Sequence, residues 1–163
     1  MRVSSIHSLT TMYDIINYVE CTHEQNLEIL NMRNLDDVRK WMVNSEVILE
    51  EDHFRFVECL KDNPNRLYFA VYRDGLLVGT YNLTKQDEGI WERGIIANPE
   101  TKEKGETAKW ERQILAGISN HGIKTVTAKV KQNNLRSIKY HKKLGYHELS
   151  SDNEYIYFIL RLQ

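Results

Sequence analysis

Between Ile90 and Ile118 the chain reads as a buried strand, a stop and a helix, and this stretch constrains the fold more than any other. Ile90 to Ala97 is an apolar run interrupted by Glu92 and Arg93, and Asn98-Pro99 halts it. A polar loop then leads to a helix opening at Gly105, with Ala108, Trp110, Ile114, Leu115 and Ile118 on one face at a period of about 3.6 residues. The first N–H groups of a helix have no intrahelical partner, and its dipole favours negative charge there. Gly105, lacking a Cβ, lets a ligand approach the backbone closely. The stretch therefore predicts a phosphate binder.

The flanking chain predicts the elements around it. Residues 13–21 (YDIINYVEC) read as a first strand. Residues 24–43 read as helical, with a stripe of Leu27, Leu30, Leu35, Val38, Trp41 and Met42 broken near Arg33-Asn34. Residues 50–62 form another helix on Phe54, Val57 and Leu60, ended by Asn63-Pro64. The strand-like runs 67–72 and 76–83 are joined by Asp74-Gly75, a pair that a type I′ hairpin turn prefers. Residues 123–130 alternate as a strand. Residues 134–144 form a helix with Leu135, Ile138 and Leu144 inward, stopped by Gly145, and 155–162 form a last strand. The order is β-α-α-β-β-β-α-β-α-β, a meander running into a β-α-β unit. It predicts an α/β (α+β) class protein: one domain over residues 1–163, with a mixed sheet of six to seven strands and helices on both faces.

Composition narrows the function. The 163 residues carry 22 Lys+Arg against 23 Asp+Glu, without the basic field of a nucleic-acid binder. No run approaches the roughly 20 apolar residues of a membrane span, and the first residues lack the apolar core of a signal peptide. Cys21 and Cys59 are expected as reduced thiols. The histidines (7, 23, 53, 121, 141 and 147) fall at no zinc-site spacing, so no metal is expected. The expected class is a cytoplasmic monomer or homodimer with a small-molecule partner, and no nucleic-acid or membrane partner.

Two motifs in this order resemble those of the GNAT superfamily of acetyl-CoA-dependent N-acetyltransferases. Lys102-Glu103-Lys104-Gly105-Glu106-Thr107 resembles its pyrophosphate motif, [QR]-x-x-G-x-[GA], with Thr107 in place of the second small residue. Residues 133–146, NNLRSIKYHKKLGY, resemble its later motif N-x-x-[AS]-x-x-[LF]-Y-x-K-x-G-F through Asn134, Ser137, Lys143, Gly145 and Tyr146. A narrower similarity lies in MRN (32–34), EDHFRF (51–56) and WERGIIANP (91–99). These resemble the N-acetyltransferases of the pseudaminic-acid pathway, which act on the 4-amino group of a UDP-linked 4-amino-4,6-dideoxy sugar. RimJ-like enzymes, which acetylate protein N-termini or small amines, share parts of the pattern.

The resemblance implies acetyl-CoA as co-substrate. It places Ile95, Ile96 and Ala97 along the pantetheine arm, where the strand opens from its neighbour. Lys102, Lys104, Gly105, Glu106 and Thr107 fall at the pyrophosphate, with Asn134 and Lys143 on the later motif. Asn134 also reads as a helix N-cap, and Lys139, Lys142 and Lys143 as a solvated basic face. The loop mixes its lysines with Glu100, Glu103 and Glu106, a poorer lure for an anion than a purely basic one. Arg33, Asn34, His53 and Trp91 fall on the acceptor side. Glu92 is the candidate general base, with an ion pair to Arg93 or a solvated strand end as the structural alternatives. The tyrosine that protonates the leaving thiolate in the family aligns with His141, whose unperturbed pKa of ~6.5 suits an acid. Its alternative is an ordinary exposed histidine in a last helical turn. Tyr140 stands one position earlier, turned by about 100° on the helix. A non-catalytic acyl-CoA-binding module is the reading from a different class.

Overall fold

Asp74 and Gly75 carry φ angles of 49° and 78°, the left-handed pair that a type I′ hairpin requires. The computed structural model describes residues 4, 5 and 12–163. The remaining amino-terminal residues, with His7 and most of the segment weighed against a signal peptide, lie outside the described residues. The hairpin joins β2 (Arg66–Arg73) to β3 (Leu76–Asp87), and β4 (Ile90–Ala97) continues the meander. α4 (Glu106–Ser119) then crosses over to β5 (Thr125–Lys131), which lies parallel to β4. α5 (Leu135–Leu144), β6 (His147–Ser151) and β7 (Tyr155–Arg161) follow. With β1 (Asp14–Asn17) at one edge, the sheet runs β1-β2-β3-β4-β5-β7-β6, the mixed α/β architecture expected.

Four local expectations are corrected. The first strand ends at Asn17, whose side chain accepts from the Val19 amide and caps a short 3-10 turn over Tyr18–Glu20. The expected break near Arg33-Asn34 separates α1 (His23–Arg33), started by a capping box between Thr22 and Gln25, from α2 (Asp36–Arg39), but helix stops at Arg39 and not at residue 43. Trp41 therefore lies beyond helix and is half exposed, and Leu135 points outward at the start of α5. β6 is unforeseen because all five of its residues are exposed, leaving no alternation to read. α3 (Glu50–Leu60) matches its apolar residues.

Alternation along the strands sorts the core into two layers. On one face Trp110, Ile114 and Ile118 of α4 pack fully buried against Val126, Ala128 and Phe158. On the other face Ile29, Met32, Val57 and Leu60 from α1 and α3 pack against Ala70, Tyr72 and Leu77. Each large side chain buried this way contributes about 1.5–3 kcal/mol. β4 divides its residues between these layers: Trp91 and Ile95 face α4, whereas Ile96 faces α1 and α3.

Candidate active site

β4 is paired with β3 along its whole length, from Ile90 to Ala97. On its other side the pairing with β5 covers only Ile90 to Arg93, and ends at the Arg93–Ala128 pair. β5 continues to Lys131, held there by β7. The two strands therefore part beyond Arg93, and the edge of β4 from Gly94 to Ala97 has no strand partner on that side among the described residues. Ile95, Ile96 and Ala97 are half-buried there. Unpaired main-chain groups within a sheet need a partner, and an extended amide chain supplies one. Gly94 stands at the mouth, where a Cβ would come within 2.2 Å of Asn82 Oδ1.

Past the opening, the chain reaches α4 through Gly105, its N-cap residue, with φ of 76° and no side-chain cap. A Cβ on Gly105 would meet nothing within 4 Å, so the glycine answers to backbone conformation and leaves the approach clear. The amides of Thr107 and Ala108 precede the first intrahelical bond and are available to an anion. Glu106 is a correction: its amide is spent on the Glu103 carbonyl, 3.2 Å away. Its carboxylate is turned inward, taking the Glu103 N–H at 2.9 Å and Arg73 Nε at 2.5 Å. Burial pushes this carboxyl up, but the Glu103 N–H and Arg73 outweigh it and hold its pKa low. Glu103 also reaches Arg73, at 3.5 Å. The acidic loop is therefore neutralised from behind and repels an anion less than its composition implies. Lys102 and Lys104 are exposed. Desolvation and the charge of Arg136 lower the Lys102 pKa, with Asp37 opposing them. Asn134 caps α5 by accepting from the Ser137 amide at 3.1 Å, and Lys143 is exposed.

The acceptor-side expectations divide. Glu92 shares a face of β4 with Ile96, toward α1 and α3, and is exposed. Its neighbour Arg93 points to the opposite face and pairs elsewhere, which removes the Arg93 alternative. Arg33 ends α1, donates from Nη2 to the Asn44 carbonyl at 3.3 Å, and keeps a buried Nη1 without a partner among the described residues. Asn34 is a correction. Both ends of its side chain are taken by the Ile48 backbone, at 2.8 and 2.9 Å, so it fastens the loop before α3. His53 is another, since it is 5 % exposed, bonded to Asn26 Oδ1 and packed on Tyr18. Trp91 is 8 % exposed within the α4-side core. Tyr72 and Tyr81 are likewise buried, and Tyr68 packs between Tyr18 and Phe56.

His141 cannot serve as the expected acid. It is 2 % exposed and stacked on Phe158, with ring centroids 5.2 Å apart. Its Nδ1–H donates to the Ser137 carbonyl at 2.6 Å, which leaves Nε2 as an unprotonated acceptor. Burial, with Arg93 nearby, lowers its pKa to about 4. Tyr140 is turned away as its position on the helix implied, and donates to Glu111 Oε2 at 2.5 Å. The buried Arg93–Glu111 pair escaped the sequence reading. Its signal was present: Glu111 interrupts the apolar stripe of α4, and Arg93 stands between Trp91 and Ile95 on the buried side of β4.

The family model for an acetyltransferase (GNAT) domain matches residues 19–147. The chain is 24 % identical over 155 residues to "Acetyltransferase PseH" of Campylobacter jejuni, covering 92 % of this chain and 94 % of that protein. A crystal structure of C. jejuni PseH in complex with acetyl coenzyme A superposes with a TM-score of 0.72 at 19 % identity, covering 93 % of this chain and 99 % of that one. A spermidine N-acetyltransferase from Vibrio cholerae, in complex with CoA and spermine, gives a TM-score of 0.80 at 13 % identity, covering 93 % and 96 %.

Proposed function

This chain belongs to the GNAT acetyltransferase family, and on that premise we propose that it moves an acetyl group from acetyl-CoA to the 4-amino group of a nucleotide-linked 4-amino-4,6-dideoxy sugar. The observation that carries the acetyl-CoA part is the one-sided opening of β4 beside the free N-terminus of α4. The edge from Gly94 to Ala97 takes the pantetheine arm. The amides of Thr107 and Ala108 take the diphosphate, with Gly105 leaving room and Lys102, Lys104 and Arg136 supplying positive charge. Asn134 and Lys143 flank the arm from α5. The co-substrate contributes an activated acetyl carbonyl, and the chain's own part is to orient the amine and manage its proton. Glu92, solvated and on the acceptor-facing side of β4, accepts that proton through water. His141 is neutral at pH 7 and does not protonate the leaving group; as the amide C–N bond forms and the thioester C–S bond breaks, CoA departs as a thiolate and takes its proton from solvent.

The sugar acceptor is supported by the segments 32–34, 51–56 and 91–99 and by the similarity to PseH. Arg33 adds a physical reason: its unpartnered, desolvated Nη1 favours an acceptor carrying phosphate and disfavours a polycation. Two free thiols among the described residues fit a cytoplasmic setting, in which the enzyme works as one domain, monomeric or homodimeric. The test is free-CoA release with acetyl-CoA and three acceptors: a UDP-linked 4-amino sugar, spermidine and a peptide with a free N-terminus. Turnover with the sugar nucleotide and little with the others is expected. Preference for spermidine or the peptide would replace the acceptor. Tight acetyl-CoA binding without transfer to any acceptor would leave a binding module.

A further inference from the structure

Glu111 is fully buried on the inward face of α4, and its carboxylate collects donors from three parts of the chain. Arg93 of β4 donates from Nε to Oε1 at 2.8 Å, and the Tyr146 hydroxyl reaches the same oxygen at 3.1 Å. The Tyr140 hydroxyl of α5 takes Oε2 at 2.5 Å. Arg93 is itself 2 % exposed at its side chain, and its guanidinium lies over the rings of Tyr146 and Tyr81, at 5.0 and 5.9 Å from their centroids.

Stability alone does not account for this pair. Desolvating two charges is costly, and well-packed apolar residues of similar volume are often as stable or more so. Location does account for it. Arg93 is the last residue of β4 with a partner in β5, and the strands part at the next residue. α4 carries the free amides at one end of the opening, and α5 follows β5 on the same face of the sheet. A single carboxylate thus ties together β4, α4 and α5 at the point where the sheet divides.

We propose that Glu111 and Arg93 are positioning residues that set the width of the β4–β5 opening and hence the seat of acetyl-CoA. The proposal rests on the assignment of acetyl-CoA made above. It is tested with the double variant Arg93→Met/Glu111→Leu, which removes both charges together, and with Tyr140→Phe, which removes one donor and leaves the ion pair. Each is compared with the parent for acetyl-CoA affinity by calorimetry, for KM of both substrates, for kcat and for Tm. The double variant is expected to keep a parent-like or higher Tm while acetyl-CoA affinity falls by about tenfold or more and acceptor KM stays unchanged. Tyr140→Phe is expected to raise acetyl-CoA KM by about threefold. A folded double variant with parent-like acetyl-CoA affinity overturns the proposal. Should the double variant fail to fold, a parent-like acetyl-CoA KM in Tyr140→Phe overturns it. Absence of acetyl-CoA binding by the parent is a different failure, since it overturns the functional reading on which the proposal stands.

Discussion

At the scale of single residues, exposure separates the two acid–base candidates. Glu92 is exposed on the face of β4 toward α1 and α3, and in the proposed reaction its carboxylate exchanges protons with the incoming amine. Glu92→Gln is expected to lower kcat by about 10²–10⁴ while leaving acetyl-CoA affinity unchanged. Steady-state kinetics with calorimetry check this, and an unchanged kcat removes the role. His141 is closed to solvent and titrates near pH 4, below an unfolded value of ~6.5. Between those values the unfolded chain binds a proton that the folded one refuses, so stability rises with pH through this window and is fully present above it. The contribution is about 3 kcal/mol. His141→Phe, which keeps an aromatic ring against Phe158, is expected to flatten the pH dependence of the urea midpoint between pH 4 and 6.5. An unchanged slope would mean that His141 does not titrate there. Sequence placed His141 in the family's tyrosine position but carried no sign of its burial, since Phe158 and Tyr146 reach it from outside its helix.

At the scale of elements, β4 and α4 were legible because their apolar residues repeat at the period of the structure they form. The strand spans the expected residues, and the helix begins one residue after the expected glycine. Gly105→Ala isolates the conformational contribution of that glycine, because the added methyl meets no neighbour within 4 Å. Forcing an L-residue to a φ of 76° costs about 1–2 kcal/mol. The expected outcome is a lower Tm together with weaker acetyl-CoA binding, as the loop relaxes and turns its amides aside. Equal Tm in the variant would show that the loop accommodates the side chain elsewhere. β6 and the end of the second helix at Arg39 were not legible in the same way. An exposed edge strand has no buried face to imprint a period, and the chain beyond α2 is held by Asn34 bonding to Ile48, 14 residues away.

At the scale of the whole molecule, the opening in the sheet belongs to no single segment. β3 holds β4 along its full length, β7 holds β5 along its full length, and the parallel contact between β4 and β5 covers only four pairs. The amino-acid sequence by itself determined the strand–loop–helix unit, the hairpin at Asp74-Gly75 and the mixed α/β class, because local periodicity and turn chemistry dictate them. It also carried the two motifs that resemble the GNAT superfamily. Only the tertiary structure decided where side chains from distant elements meet. It withdrew His53, Asn34 and Trp91 into structural contacts, turned Glu106 onto Arg73, and gathered Arg93, Glu111, Tyr140 and Tyr146 beneath the opening. The pairings of Glu106 with Arg73 and of Glu111 with Arg93, Tyr140 and Tyr146 span 18 to 35 residues of chain, a separation at which the residue pattern along one element says which face a side chain takes but not what waits opposite it.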